Sequence, residues 1–324
     1  MNLEFDAYVT AAAFTRQGFA FALGDGTVRL EGAEPLQSHD GAVLCAAVHP
    51  SGEGLVTGGD DGRLVWSQAG GITELAKVKG RWIDAVATAP QSGLIAFAVG
   101  REVQVLDIAD PSFSRTYGHE KSVAAIAFDP KGRRIAAATY GGAALWYARI
   151  ADQKPTFLKW AGSHTGLAFS PDGKFLMSAM QENQLHGWRL SDAKNMRMGG
   201  YPAKVKSLAF MAKGAAMATS GANGVVVWPF SGPNGPMGRE AAEVGYDETA
   251  MVARVAATPD TTVIAAGLDD GRVWAMNAAT AARNEIRADK GAAISALAIS
   301  ADGSRIAWGD EDGAAGVASG LKLR

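Results

Sequence analysis

The chain has 324 residues, of which 48% are apolar and 20% charged. That balance supports a sizeable buried core and excludes long disorder. A formal net charge of -2 gives no global field to draw in nucleic acid or an anionic membrane, and a single cysteine, Cys45, excludes an intrachain disulfide, a Cys-rich zinc site and an iron–sulfur cluster.

The N-terminal stretch MNLEFDAYVTAAAF carries two acids early and lacks the basic region of a secretory signal. No apolar run approaches the roughly 20 residues that span a bilayer. These features lead us to expect a cytoplasmic protein with neither membrane nor nucleic-acid partners.

Along the chain, short apolar runs recur on either side of Gly-bearing turns. A position two before the turn's Pro, or its equivalent, falls at Phe14, Val48, Thr88, Phe128, Phe169, Phe210, Ala257 and Ile299. The intervals are 34, 40, 40, 41, 41, 47 and 42 residues, close to the roughly 40 to 45 of a four-stranded propeller blade. Each unit reads as inner strand, turn, second strand, turn, third strand, loop and outer strand. In SVAAIAFDP both alternating sets are small or apolar, so this inner strand has no solvent face. Second strands such as IAAAT and LMSAM are rich in small residues, which let neighbouring sheets approach. A helical reading fails because Gly, Pro-Asp or Asp-Gly cuts every apolar run.

The stretch LAFSPDGKFLMSA, residues 167–179, contains an acidic, Gly-bearing loop that could in isolation cradle an ion or a phosphate. Its counterparts AAVHPSGEGLVTG and IAFDPKGRRIAAA carry Ser51 or Lys131 where Asp172 stands. A turn survives that variation, whereas a catalytic role does not.

The recurring pieces, FSPDGKFL, GDGTVRL, GGDDGRLVW and the Gly118-His119 step, resemble the WD-repeat β-propeller family across all the units. The resemblance implies a hydrogen-bonded set of His, Ser or Thr, Asp and Trp in well-formed blades. The second unit matches it with His39, Thr57, Asp61 and Trp66. The fourth has His119 and Trp146 but Gly141 or Gly142 in the Asp position, and no Trp is followed by the Asp of the name-giving dipeptide.

The fold expected is therefore all-β: one propeller domain over residues 1–324, built of four-stranded antiparallel blades. Eight blades are favoured, with seven the alternative if the short first interval marks an incomplete blade. The last unit lacks an outer strand of its own, and NLEFDAY could supply it, closing the ring through the chain ends. Residues 229–250, dense in Pro and Gly, read as a surface loop insertion.

Candidates for chemistry are few. The five histidines show no i, i+4 pair on a helix; His39 and His119 read as loop anchors, and His164 and His186 are without an assigned role. No nucleophile elbow or phosphate loop is present, and Cys45 sits in an apolar strand that raises its pKa. No catalytic residue, metal or cofactor is expected. Asp25, Asp60, Asp61, Asp269, Asp270, Asp310 and Asp312 lie at or near Asp-Gly turns, where hairpin geometry explains them. The functional reading is a non-enzymatic scaffold that binds a protein or peptide on the propeller face through Arg81, Trp82, Lys121, Tyr140, Tyr201 and Lys204, with Asp60 and Asp269 supplying opposite charge. The alternative is a small-molecule or metal-dependent enzyme or binder using a central channel.

Overall fold

In the computed structural model, which describes residues 1–321 and 323, the backbone is almost wholly β-strand and turn. Among the described residues the strands collect into seven antiparallel sheets. Six have four strands, for example Val43–Val48, Leu55–Gly59, Arg63–Gln68 and Gly71–Lys77 in sequential order. These are the four-stranded antiparallel blades of a β-propeller.

Seven sheets correct the eight blades favoured from the repeats. The loss is not at the short first interval, because Val9–Thr15, Gly18–Leu23, Thr27–Leu30 and Leu36–Gln37 form a full sheet. Instead the fourth and fifth repeats share one six-stranded sheet. Two of its strands, Arg134–Tyr147 and Thr156–Phe169, run for 14 residues each, the first folding back within its length and the second leading from the fourth repeat into the fifth. The first contains Gly141 and Gly142 in place of Asp-Gly, at φ +91° and +147°. The chain doubles back at these glycines, since the Ala148 N–H donates to the Arg133 carbonyl at 2.9 Å, and the pairing with the next strand shifts register between Tyr140 and Gly142.

The chain divides into two compact units, Met1–Ala12 with Ser170–Arg324, and Ala13–Phe169. In the first, Asn2–Glu4 pairs antiparallel with Ala314–Ser319, in the register Asn2 to Gly316 and Glu4 to Ala314. Two further bonds extend the pairing: the Phe5 N–H donates to the Gly313 carbonyl at 3.0 Å and the Val317 N–H to that of Met1 at 2.8 Å. The N-terminal stretch thus supplies the outer strand of the last sheet, as a closed ring requires.

Small residues in the second strands have the packing role their composition suggests. In the first unit, a Cβ on Gly309 would stand 2.5 Å from a Val9 methyl carbon, and in the second, one on Gly58 would stand 2.4 Å from an Ile83 methyl carbon. Adjacent repeats approach too closely for any side chain at these positions. The strands Leu94–Val99 and Phe175–Met180 are buried at every residue.

The 229–250 segment is not wholly loop, since Ala242–Val244 within it forms the outer strand of its sheet by pairing with Val225–Pro229. Its start packs inward: Phe230 is buried against Phe175 and Phe210, with Met237 alongside. Arg189 holds the excursion by donating to the Pro233 carbonyl at 3.1 Å and to the Asn234 side chain at 2.9 Å.

Candidate binding cavity

The turns between inner and second strands are self-contained. At Ser170-Pro-Asp-Gly, the Ser170 hydroxyl donates to Asp172 at 2.7 Å and accepts the Phe175 N–H at 2.9 Å, while Asp172 accepts the Lys174 N–H at 3.1 Å. Ser300 and Asp302 repeat the pattern with Ser304 and Arg305. These hydrogen bonds hold the exposed Asp302 carboxyl down to about 2. With its oxygens committed to turn N–H and O–H groups, the loop is a built turn.

Acids of the other turns are committed in the same way. Asp270 and Asp247 grip Arg272 from two sides, at 2.9 and 2.7 Å. Asp310, 1% exposed, takes Arg287 at 2.8 Å and the Ala314 N–H at 2.9 Å. Asp269 accepts the Met251 N–H at 2.9 Å. Asp60 is half-buried beside Gly41.

Three of the four members of the hydrogen-bonded set meet in the second repeat. The buried His39 ring contacts Thr57 Oγ1 through Nε2 at 2.8 Å and Asp61 Oδ1 through Nδ1 at 3.0 Å. Burial alone would raise the Asp61 carboxyl, but hydrogen bonds from His39 and from the Arg63 and Asp40 N–H groups outweigh it and hold the carboxyl below its ordinary range. Trp66 departs from the expected set: its indole N–H donates to the Glu53 carbonyl at 2.8 Å and its ring stacks on His49 at 4.0 Å.

Tyr201 also has a role that the sequence concealed. It is 8% exposed, not a surface anchor; its hydroxyl meets Thr219 Oγ1 at 2.7 Å and accepts the Trp228 indole N–H at 2.6 Å. Burial, only partly offset by those two bonds, pushes the phenol up to about 12. In its repeat, Tyr201 occupies the place that His39 fills in the second. Burial likewise pushes the Cys45 thiol up to about 12, and its S–H donates to the Ile83 carbonyl at 3.3 Å. His164 and His186 are fully buried and contact the Trp160 carbonyl and the Asn195 side chain. Among the described residues, no group of three or more His, Cys, Asp or Glu could hold a metal ion.

Of the surface candidates, the second unit brings Lys121 and Tyr140 together in one cavity of about 590 Å³, with Glu120, Trp146, Phe157 and Lys159, so that two lysines outnumber one acid. The back wall is aromatic: Trp146 stacks on Tyr117 at 4.8 Å and meets His119 edge-on at 5.6 Å. The mouth is formed by Tyr140, 66% exposed, and Phe157, 43% exposed. Tyr140 stands at the register shift beside Gly141 and Gly142, and Phe157 and Lys159 lie on the facing strand opposite Ala144 and Gly142. Phe157 and Lys159 were not singled out from the sequence. The available signal is the alternation in TFLKW, where Leu158 is buried and its two neighbours are exposed.

The remaining candidates lie elsewhere. Trp82 is 65% exposed, and Arg81 beside it donates to the Val99 carbonyl at 3.3 Å; neither lines the cavity. Lys204, in the other unit, donates to Gln181 at 2.6 Å.

An antiparallel four-stranded blade repeated around buried small-residue strands defines the class: a β-propeller. Within it, residues 33–66 and 111–146 match the WD40 family model, described as WD domain, G-beta repeat. The chain is thus a β-propeller in which two segments match the WD40 repeat, and these segments contain the His39–Thr57–Asp61 and His119–Trp146 contacts. No curated protein matches the sequence. Among solved structures, the chain is similar to the computationally designed Ika8 protein, at 19% identity over 98% of this chain and 97% of that one, with a TM-score of 0.78. It is also similar to the β-propeller domain of Cps50 (Swd1) from Myceliophteria thermophila, at 12% identity over 86% and 96%, with a TM-score of 0.68. Identities this low bear on fold alone.

Among the described residues, no helix is long and apolar enough to cross a membrane.

Proposed function

We propose that this protein is a non-enzymatic interaction scaffold that holds a protein or peptide partner in the Tyr140–Phe157 cavity. The observation that carries the reading is the pairing of two exposed aromatic rings with two lysines around a preformed cavity. Exposed aromatics flanked by cations supply the contact area and the orienting charge of an interface centre. A wall fixed by the Trp146–His119 hydrogen bond needs little reordering on binding. WD40 propellers generally serve as protein-interaction scaffolds. On this reading the scaffold works in the cytoplasm, where the single free thiol of Cys45 stays reduced.

The test replaces Tyr140 with the photo-crosslinker p-benzoylphenylalanine and irradiates the protein in extract of its host. The expected result is a discrete set of protein adducts that is lost when Phe157→Ala and Lys121→Glu are added. Adducts that persist in that variant, or none at all, would overturn the reading.

A further inference from the structure

A second opening lies at the other edge of the same blade, where the turns between inner and second strands meet the loop that follows the third strand. It is a groove of about 590 Å³ lined by Ser92, Lys131, Arg133, Tyr147, Arg149 and Ile150, among others. Its residues belong to one unit and share none with the Tyr140–Phe157 cavity.

The groove combines three properties that bear on one kind of ligand. First, it is basic. Lys131, Arg133 and Arg149 line it and no acid does. Two buried carboxylates lie behind the lining: Asp107 pairs with Arg149 at 2.7 Å, and Asp129 pairs with Arg134 at 3.1 Å while accepting the Arg133 N–H at 2.8 Å, so counting both acids and Arg134 leaves about two positive charges in a chain whose net charge is -2. The Lys131 and Arg133 side chains are exposed and form no ion pair among the described residues.

Second, the groove is lined with apolar surface open to solvent. Tyr147 is 56% exposed and Ile150 49%, so two large side chains stand together with no covering element. Isolated exposed apolar residues are ordinary, but adjacent ones in a concave basic setting mark a contact surface.

Third, the wall is held rigid. The Tyr117 hydroxyl reaches the Tyr147 carbonyl at 2.8 Å and the Ile150 carbonyl at 3.1 Å. Gln153 clasps the same turn, donating to both carbonyls and accepting the Tyr147 N–H at 3.0 Å. Arg149 bridges to the neighbouring blade by donating to the Ser92 carbonyl at 3.0 Å, and stacks over Phe113. A loop tied down this firmly binds with little entropic cost.

From these we infer that the groove is a second docking site, for an acidic protein segment that carries an aliphatic or aromatic anchor between its carboxylates. The charge selects acid and the Tyr147–Ile150 surface selects the anchor. A nucleic-acid backbone would find few cations and an apolar floor. The site is independent of the cavity proposed above, and its failure would leave that reading untouched.

The test uses fluorescence anisotropy with a fluorescein-labelled 12-residue peptide in which a Leu-Phe pair is flanked on each side by Glu and Asp. The wild-type chain is expected to bind it saturably. Lys131→Glu with Arg133→Glu should weaken binding at least tenfold, and replacing Leu-Phe by Gly-Ser in the peptide should weaken it at least threefold. Tyr140→Ala with Lys121→Glu should leave the affinity unchanged. Circular dichroism melts establish that each variant is folded. Absence of saturable binding overturns the proposal, as does binding that the groove variant does not weaken or that the Gly-Ser peptide matches. Tighter binding of a 12-nucleotide oligothymidylate than of the acidic peptide also overturns it, assigning the groove to nucleic acid.

Discussion

The Trp146 indole N–H donates to Nε2 of His119 at 3.0 Å, across 27 residues of sequence. Because that ring nitrogen accepts, the proton sits on Nδ1, which faces the Arg101 carbonyl at 3.2 Å. The imidazole is thus held neutral between a donor and an acceptor, at the back of the cavity.

This arrangement predicts a pH dependence. Burial lowers the His119 pKa below its ordinary 6.5, against smaller opposing effects of backbone hydrogen bonds to Arg101 and Tyr117. The unfolded chain takes up its proton first, so the stabilisation is fully present above about pH 6.5 and is lost as pH falls through the folded value. His49, also lowered by burial, adds in the same direction. The thermal midpoint should fall between pH 7 and pH 5, and His119→Gln should flatten that slope. An identical slope in the variant would show that His119 does not titrate with folding.

Tyr201→Phe deletes one hydroxyl from the Thr219–Tyr201–Trp228 chain. Thr219 keeps its bond to the Val226 carbonyl at 3.1 Å, but the Trp228 indole N–H loses its acceptor. A buried donor left without a partner costs about 1–3 kcal/mol, measurable by urea unfolding. A surface-anchor tyrosine would show almost no change.

Removal of residues 2–8 strips the outer strand from the last sheet and exposes the edge Ala314–Ser319. At about 1 kcal/mol per hydrogen bond the loss is about 3 kcal/mol, with a lower melting midpoint and greater aggregation through the open edge. A midpoint equal to that of the intact chain would mean that the terminal pairing contributes nothing.

Gly141 and Gly142 separate two effects of a side chain. Both have positive φ, but a Cβ on Gly141 meets nothing within 4 Å, whereas one on Gly142 would lie 2.1 Å from the Leu158 carbonyl oxygen. Gly141→Ala therefore carries backbone strain alone, about 1 kcal/mol. Gly142→Ala adds a backbone displacement and should cost about 2–4 kcal/mol. Equal losses in chemical denaturation would refute the close approach across the two long strands.

Much of this molecule is legible in its sequence, for reasons that are local. The Ser-Pro-Asp-Gly turn at residues 170–173 is written in four neighbouring residues, since Asp172 and Ser170 close it on the chain's own N–H groups. The resemblance to WD repeats implied a set of His39, Thr57, Asp61 and Trp66, of which His39 contacts Thr57 and Asp61. The sequence also shows Gly141 or Gly142 in the Asp position of the fourth unit, but not the roles taken by Tyr201 and Trp66. Tyr201 in the His column looked like a surface aromatic until its burial was known, and Trp66 turned toward His49 because the Glu53 carbonyl offered its N–H another acceptor.

The sheet count and the cavity lay beyond sequence reasoning for a shared physical reason. Gly-Gly at 141–142 turns the chain where Asp-Gly turns it in other repeats, and its conformational freedom does not fix the register of the strands beyond it. That register is set by pairing across the strands, Tyr140 with Ser163 and Gly142 with Lys159. The same pairing sets Phe157 opposite Ala144 and Lys159 opposite Gly142, on the strand that faces Tyr140. The sequence by itself determined the repeat, the turns and the apolar strands, which depend on neighbours along the chain. Tertiary structure decided the seven sheets, the burial of Tyr201 and the cavity, which depend on partners that only hydrogen bonding between strands brings together.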